Sequence, residues 1–241
     1  MILKQEPEFI ARYRESDMKP QCLWEHLQGV TRQAGEFGGK VGLKRTGQLV
    51  GLTHDLGKAT LEFQKYLKSA VGVIENQAYC DGRKLDHATA GAQILYEAFL
   101  RSNDVTTLTS DILALVVASH HGLVDALTPD GRDYLGDRLS KDESETRKEQ
   151  ALATLPANLQ NQLQALINGD VDKEIEEFLR KALDPVDSWT EKTFKAGLLV
   201  RFLMSCLIDA DRLDAANFDS RGNAEIKGAV DWSFFIESLE R

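Results

Sequence analysis

Apolar residues recur at helical spacing in segment after segment of this chain, and that periodicity restricts it to an all-α fold. After Pro20, the residues Leu23, Leu27, Val30, Ala34 and Phe37 outline a first helix, which carries His26 and is ended by Gly38, Gly39 and Gly42. A second helix is expected from Leu43 to Asp55, with Leu49, Val50 and Leu52 in the core and Gly57 as the break after it. Thr60 reads as the N-cap of a helix over Leu61 to Ala70. Asp86 reads as the cap of another through Ala90, Ile94, Leu95, Ala98 and Phe99, with His87 in its first turn. A central helix is expected over Leu108 to His121, stopping at His120-His121-Gly122.

Beyond that point the pattern loosens and then returns. Residues 122 to 139 hold the turn signal Pro129-Asp130-Gly131 and read as an irregular surface loop. Ser140 with Glu143 is a capping-box pattern before a charged helix, and Pro156 opens another with Leu159, Leu163, Leu166 and Ile167. Ser188-Trp189-Thr190-Glu191 repeats the box before a long apolar helix from Phe194 to Leu213. Residues 214 to 230 are polar, and Trp232, Phe235, Ile236 and Leu239 outline a terminal helix at about 231–241. With no repeat, linker or low-complexity stretch to split it, the chain is expected to form one compact helical domain over 1–241, its core at about 20–215.

Charge and cysteines narrow the function classes. A formal net charge of −9 and a pI near 5.1 argue against a surface that grips nucleic acid all over, because such binding neutralises phosphates with Lys and Arg. Between Lys40 and Lys84 bases outnumber acids, which reads as a solvated helix face ahead of a phosphate-steering patch. Cys22, Cys80 and Cys206 are far apart, form no Cys-x-x-Cys pair, and read as buried thiols in a reducing cytoplasm. Residues 1–7 do not read as a signal peptide, and the apolar stretch Leu198 to Ile208 is too short for a bilayer and carries Arg201. A cytoplasmic location without a membrane segment is expected.

The chemistry gathers at Thr53-His54-Asp55-Leu56-Gly57-Lys58, where an imidazole adjoins a carboxylate and a lysine follows three residues later. On a helix the first two side chains lie about 100° apart and can aim different atoms at one centre, with Lys58 roughly one turn beyond Asp55. Alone, the dipeptide is as readily an ordinary surface pair. Its company changes that reading: His26, His54, His87, His120 and His121 all fall at the ends or inner faces of expected helices. Singly, each reads as a hydrogen-bonded core residue. Together with Asp55 and an aspartate late in the chain, they read as a metal cluster. Imidazole nitrogens and carboxylates suit Mn, Fe, Co, Ni or Zn, whereas Mg prefers an oxygen-rich shell, and the ligand count exceeds the need of one tetrahedral zinc. Asp209 and Asp211 lie near the expected C-terminal end of their helix, where its dipole disfavours bare carboxylates and calls for something positive.

In this order, His26, His54-Asp55, His87, His120-His121 and a terminal Asp, the chain resembles the dinuclear subgroup of the HD phosphohydrolase superfamily. His54-Asp55-Leu56-Gly57-Lys58, Asp86-His87-Ala88-Thr89-Ala90-Gly91, Ser119-His120-His121-Gly122 and Ile208-Asp209-Ala210-Asp211-Arg212-Leu213-Asp214 are similar to the HD nuclease domain of the CRISPR-associated helicase-nuclease of type I systems. The similarity runs from about His26 to Asp214. It implies that His26, His54, Asp55 and the terminal Asp hold one metal, and that Asp55 bridges to a second held by His87, His120 and His121. The family's Ala-Asp pattern matches Ala210-Asp211; Asp209 competes, since two residues along a helix turn the side chain by about 200°. Lys58 matches the family's HD-x-x-Lys lysine, and a substrate-phosphate role is placed ahead of a simple ion pair.

The implied activity is metal-dependent hydrolysis of DNA, preferentially single-stranded, in CRISPR antiviral defence, with Asp55 and Lys58 as catalytic residues. Two divalent transition-metal ions are implied, Mn, Fe, Co or Ni, with Mg as the alternative. The implied partners are single-stranded DNA, a superfamily 2 helicase domain or subunit, and a guide-RNA surveillance complex. The runner-up is an HD-type nucleotide or cyclic-dinucleotide phosphohydrolase, although no Gly-Tyr-Pro follows His121. A degenerate HD domain serving as an interaction module is the third reading, and the filled ligand positions disfavour it.

Overall fold

A computed structural model describes residues 8–74, 85–100, 104–122 and 124–220. It opens on an element that helical periodicity does not announce. Strand β1 (Ile10–Tyr13) pairs antiparallel with β2 (Pro20–Cys22), Ile10 opposite Cys22 and Tyr13 opposite Pro20. Pro20 is thus the first residue of a strand, a place where its missing N–H costs no ladder bond.

Helix α1 (Leu23–Gly39) follows directly and buries Leu23, Leu27, Val30 and Ala34 at the expected spacing. It lies against α2 (Lys44–Thr53) so closely that the backbones touch. A Cβ on Gly47 would collide with the Ala34 carbonyl, and one on Gly51 would come within 2.9 Å of the Thr31 Cα. The helix expected to run to Asp55 stops at Thr53. His54 is its C-cap, Asp55 has left helical geometry at φ −113° and ψ 17°, and Leu56–Ala59 form one 3-10 turn. Thr60 then caps α3 (Leu61–Ala70), accepting from the Phe63 N–H at 3.3 Å.

Helices α4 (Ala88–Phe99) and α5 (Asp104–Ser119) form a second packed pair. The region expected to be an irregular loop contains a short helix, α6 (Tyr134–Leu139), capped by Asp133. Ser140 closes that helix instead of opening the next; α7 (Glu143–Thr146) is capped by Asp142, whose Oδ1 accepts from the Ser144 N–H at 2.9 Å. Helices α8 (Lys148–Thr154) and α9 (Ala157–Ile167) follow. After them comes α10 (Val171–Ala182), not expected from the sequence although Val171, Ile175 and Leu179 form a buried i, i+4, i+8 stripe.

The last described helix, α11 (Trp189–Asp219), carries the capping box of Ser188 and Glu191 and continues past Leu213. Asp209 and Asp211 therefore sit within the helix, not near its end. Helix α11 packs across α1, α5 and α2, and brings Leu199, Leu203 and Leu207 into the core. Each such leucine contributes about 1.5–3 kcal/mol by leaving water. Cys206 is buried, Cys22 is only half-buried, and Cys80 and the helix expected at 231–241 lie outside the described residues. Among the described residues no helix is long and apolar enough to cross a membrane.

Candidate metal centre

The ends of three helices and the sides of two converge on one spot. His54 and Asp55 leave α2, His120 and His121 follow the last residue of α5, and His87 stands at the N-cap of α4. His26 comes from the second turn of α1 and Asp211 from α11. Asp55 lies between them. Its Oδ2 is 3.3 Å from both His26 Nε2 and His54 Nε2, while its Oδ1 is 3.3 Å from His87 Nε2 and 3.8 Å from His120 Nε2. Asp211 Oδ1 joins the first group, 3.5 Å from His26 Nε2 and 4.0 Å from His54 Nε2. His121 joins the second, its Nε2 2.7 Å from that of His87. Within each set, Asp55-His87-His120-His121 and His26-His54-Asp211, one ligand atom per residue lies within 4.8 Å of every other.

The rings are oriented from behind. His54 Nδ1 is 2.8 Å from the Gly51 carbonyl and His120 Nδ1 is 2.7 Å from that of Val117. A carbonyl only accepts, so each Nδ1 carries the proton and each Nε2 keeps a lone pair. His54 Nε2, His120 Nε2 and Asp55 Oδ1 are buried without a hydrogen-bond partner. Leaving such groups unpaired costs about 1–3 kcal/mol apiece. Three unpaired acceptors aimed at one space fit divalent cations that take imidazole and carboxylate ligands.

Charge is divided unevenly among these groups. Burial pushes the Asp55 carboxyl upward, but Lys58, His54 and the approach of His26 outweigh it and hold the group well below the usual carboxylate range. Burial, with repulsion from His54, drives His120 well below the ordinary imidazole value, and burial beside His87 lowers His121 as well. Both rings are neutral and able to donate electron pairs. At His26 burial opposes protonation, yet the hydrogen bonds to Asp214 and Asp55 prevail and raise it to about 9.

Lys58, on the 3-10 turn, brings Nζ within 2.7 Å of Asp55 Oδ2. Asp209 stands apart: it is exposed and lines a neighbouring cleft of about 550 Å³ with His120, His121, Arg201, Ser205 and Arg212. A second cleft, of about 580 Å³, lies on the other side of His121 beside His87, Tyr134 and Arg138. A larger cavity of about 630 Å³ between α5, α6 and α11 includes no histidine.

Two supporting residues were not assigned from sequence. Asp86, expected only as a cap, accepts from the Thr89 N–H at 3.2 Å and also binds Arg138 Nη2 at 2.9 Å and Lys141 Nζ at 2.6 Å. Asp214 stands behind His26, its Oδ2 2.8 Å from Nδ1. Asp86 carried a cap signal, and Asp214 only its place at the end of the Ile208–Asp214 motif.

The family model described as "Cas3, HD domain" matches residues 20–201. That span takes in all five histidines and Asp55, and stops short of Asp211 and Asp214. No curated protein matches the chain. Matched over well more than half of its length and carrying the histidines and the His-Asp pair in order, the chain belongs to the Cas3 HD-domain family, a family of HD-type hydrolases.

Proposed function

We propose that the chain, acting over 1–241 as one domain, is a metal-dependent endonuclease that hydrolyses phosphodiester bonds of single-stranded DNA. It does so in the cytoplasm during CRISPR antiviral defence, with a superfamily 2 helicase delivering the strand that a guide-RNA surveillance complex displaces. The observation that carries the reading is Asp55, whose two oxygens face two separate groups of imidazoles. Such a carboxylate is built to serve two cations at once. His26, His54 and Asp211 would hold one, and His87, His120 and His121 would hold the other, with Mn, Fe, Co or Ni preferred by the nitrogen-rich donor set. When bound, a pair of such ions lowers the pKa of water to near neutrality and neutralises the oxygens of the phosphate under attack.

The chain's own groups do the rest. Asp55 stays ionised at any working pH and therefore holds its place without taking up a proton. Lys58, 16% exposed at its side chain, reaches from Asp55 to the rim and adds positive charge where the pentacoordinate phosphate gathers negative charge. The strand lies across His121, the exposed ligand, between the two clefts. Arg212, exposed in one cleft and paired with no described carboxylate, meets the next phosphate.

The test is metal-depleted protein reloaded with Mn²⁺ or Ni²⁺ and offered single-stranded DNA, duplex DNA and nucleoside triphosphates. Cleavage of the single strand is expected to lead by about tenfold or more, a differential binding of the order of 1.4 kcal/mol in the transition state. Hydrolysis of the triphosphates without cleavage of DNA overturns the proposal.

A further inference from the structure

The three most buried imidazoles of the centre are not oriented alike. His54 and His120 sit at helix C-termini, and each turns its Nδ1 to the carbonyl three residues earlier, Gly51 and Val117. Those carbonyls belong to the last turns of α2 and α5, where no intrahelical N–H remains to take them. His26 has no such neighbour. It stands near the start of α1, and the carbonyl three residues earlier, of Leu23, is used by the helix ladder.

A side chain supplies what the backbone cannot. Asp214 Oδ2 lies 2.8 Å from His26 Nδ1 and accepts at 2.7 Å from Gln21 Nε2, at the far side of the chain in β2. Both bonds fall on one carboxylate oxygen. The other oxygen rests over Gly29, where a Cβ would collide with it. Gly29 lies one turn along α1 from His26, so the helix has been emptied at the position where the carboxylate must come close. With His26 Nδ1–H directed to Asp214, Nε2 faces Asp55 and Asp211. Asp214 is not a further ligand, because its engaged oxygen is on the opposite side of the imidazole from that space.

We infer that Asp214, seated on Gly29 and held by Gln21, is the positioning residue that fixes the tautomer and direction of His26 toward the metal centre. It rests on the metal-centre reading above and deepens it. His26 thus depends on a contact between the hairpin, α1 and α11, whereas His54, His87 and His120 are turned by main-chain carbonyls. Outer partners of this kind set metal affinity by about 10–100-fold.

The experiment titrates metal-depleted full-length protein with Mn²⁺ or Ni²⁺ by calorimetry, comparing Asp214→Ala, Asp214→Asn and Gly29→Ala with the parent chain. In the parent two equivalents are expected. Asp214→Ala should weaken one of the two by about 10–100-fold and leave the other at parental affinity. Asp214→Asn keeps an oxygen for both hydrogen bonds and should recover most of the loss. Gly29→Ala displaces the carboxylate without removing it and should fall between.

Parental affinity at both sites in a folded Asp214→Ala, or an Asp214→Asn no better than the alanine, overturns the inference. If Asp214→Ala does not fold, Gly29→Ala and Asp214→Asn decide alone: parental affinity in Gly29→Ala overturns it, and selective loss in Gly29→Ala with retention in Asp214→Asn supports it. A parent chain that binds no ion overturns the metal-centre reading and the inference together. A parent that binds one ion overturns only the two-metal reading, and the variants still report on the site containing His26.

Discussion

The inner and outer parts of the candidate metal centre are built to different rules. Inside, His54, Asp55 and His26 are 0%, 1% and 2% exposed, and every imidazole there is fixed from behind by a carbonyl or a carboxylate. Outside, His121 is exposed and meets the His87 imidazole nitrogen to nitrogen, with clefts on either side. The inner part joins α1, the end of α2 and α11 around one buried carboxylate. The outer part meets solvent, and His121 there has no described hydrogen bond to the main chain.

Removing an inner ligand and an outer one should therefore fail in different ways. Asp55→Ala takes a bridge from both ligand sets and should abolish nicking of single-stranded DNA, by well over ~100-fold given that even outer partners are worth that much. His121→Ala should also silence cleavage, yet leave the unfolding free energy of the metal-free protein within about 0.5 kcal/mol of the parent, as exposed substitutions do. Activity assays with thermal melts on both variants measure the contrast. An equal fall in melting temperature for His121→Ala would erase it.

Lys58 lies on the border between the two parts. Lys58→Met keeps the apolar stem and removes the charge, so kcat should fall by about 10²-fold, the usual worth of one transition-state donor. Metal stoichiometry by elemental analysis should stay at the parental value. A loss of bound metal instead would make Lys58 part of the holding side.

The smallest effect concerns Asp86, which ties the start of α4 to Arg138 and Lys141 beside the outer cleft. Burial pushes its carboxyl up, but Lys141, Thr89 and Arg138 prevail and hold it below the ordinary range. A depressed carboxylate pKa stabilises the fold fully above the unfolded value of about 3.9 and loses that contribution as pH falls through the folded value. Asp86→Asn should cost on the order of 1 kcal/mol near neutral pH. The gap between its melting temperature and the parent's should close only as the pH drops below about 4; a gap that stays open there would assign the loss to shape, not charge.

Periodicity made most of the helices legible, since a buried stripe is written in the identity of its residues. Local competition hid the rest. The hairpin Ile10–Tyr13 with Pro20–Cys22 is too short to show alternation, and Tyr134–Leu139 was masked by the turn signal before it. Val171, Ile175 and Leu179 had the stripe, but Asp172, Lys173, Glu174, Glu176 and Glu177 between them gave the segment the look of a charged surface.

The candidate ligands were legible for a different reason: rare, chemically marked residues repeat a known order. Their geometry was less so. Helical phase alone put His54 and Asp55 about 100° apart on one helix. The chain instead breaks at Thr53 and turns, which lets both side chains face inward. Asp214 escaped assignment because its contact is with His26, a candidate ligand, and such a contact across 188 residues leaves no local mark.

The crossing of α1 and α2 also limits how this protein can be improved. Replacing helical glycines with alanine is among the first moves of stability engineering, since it restricts the unfolded chain and gains about 0.4–1 kcal/mol where the methyl finds room. At Gly47 and Gly51 it finds the main chain of α1 instead, and these are the two helices that carry His26 and His54. A stabilised version of this protein has to be sought elsewhere, because widening that crossing parts two members of one candidate ligand set.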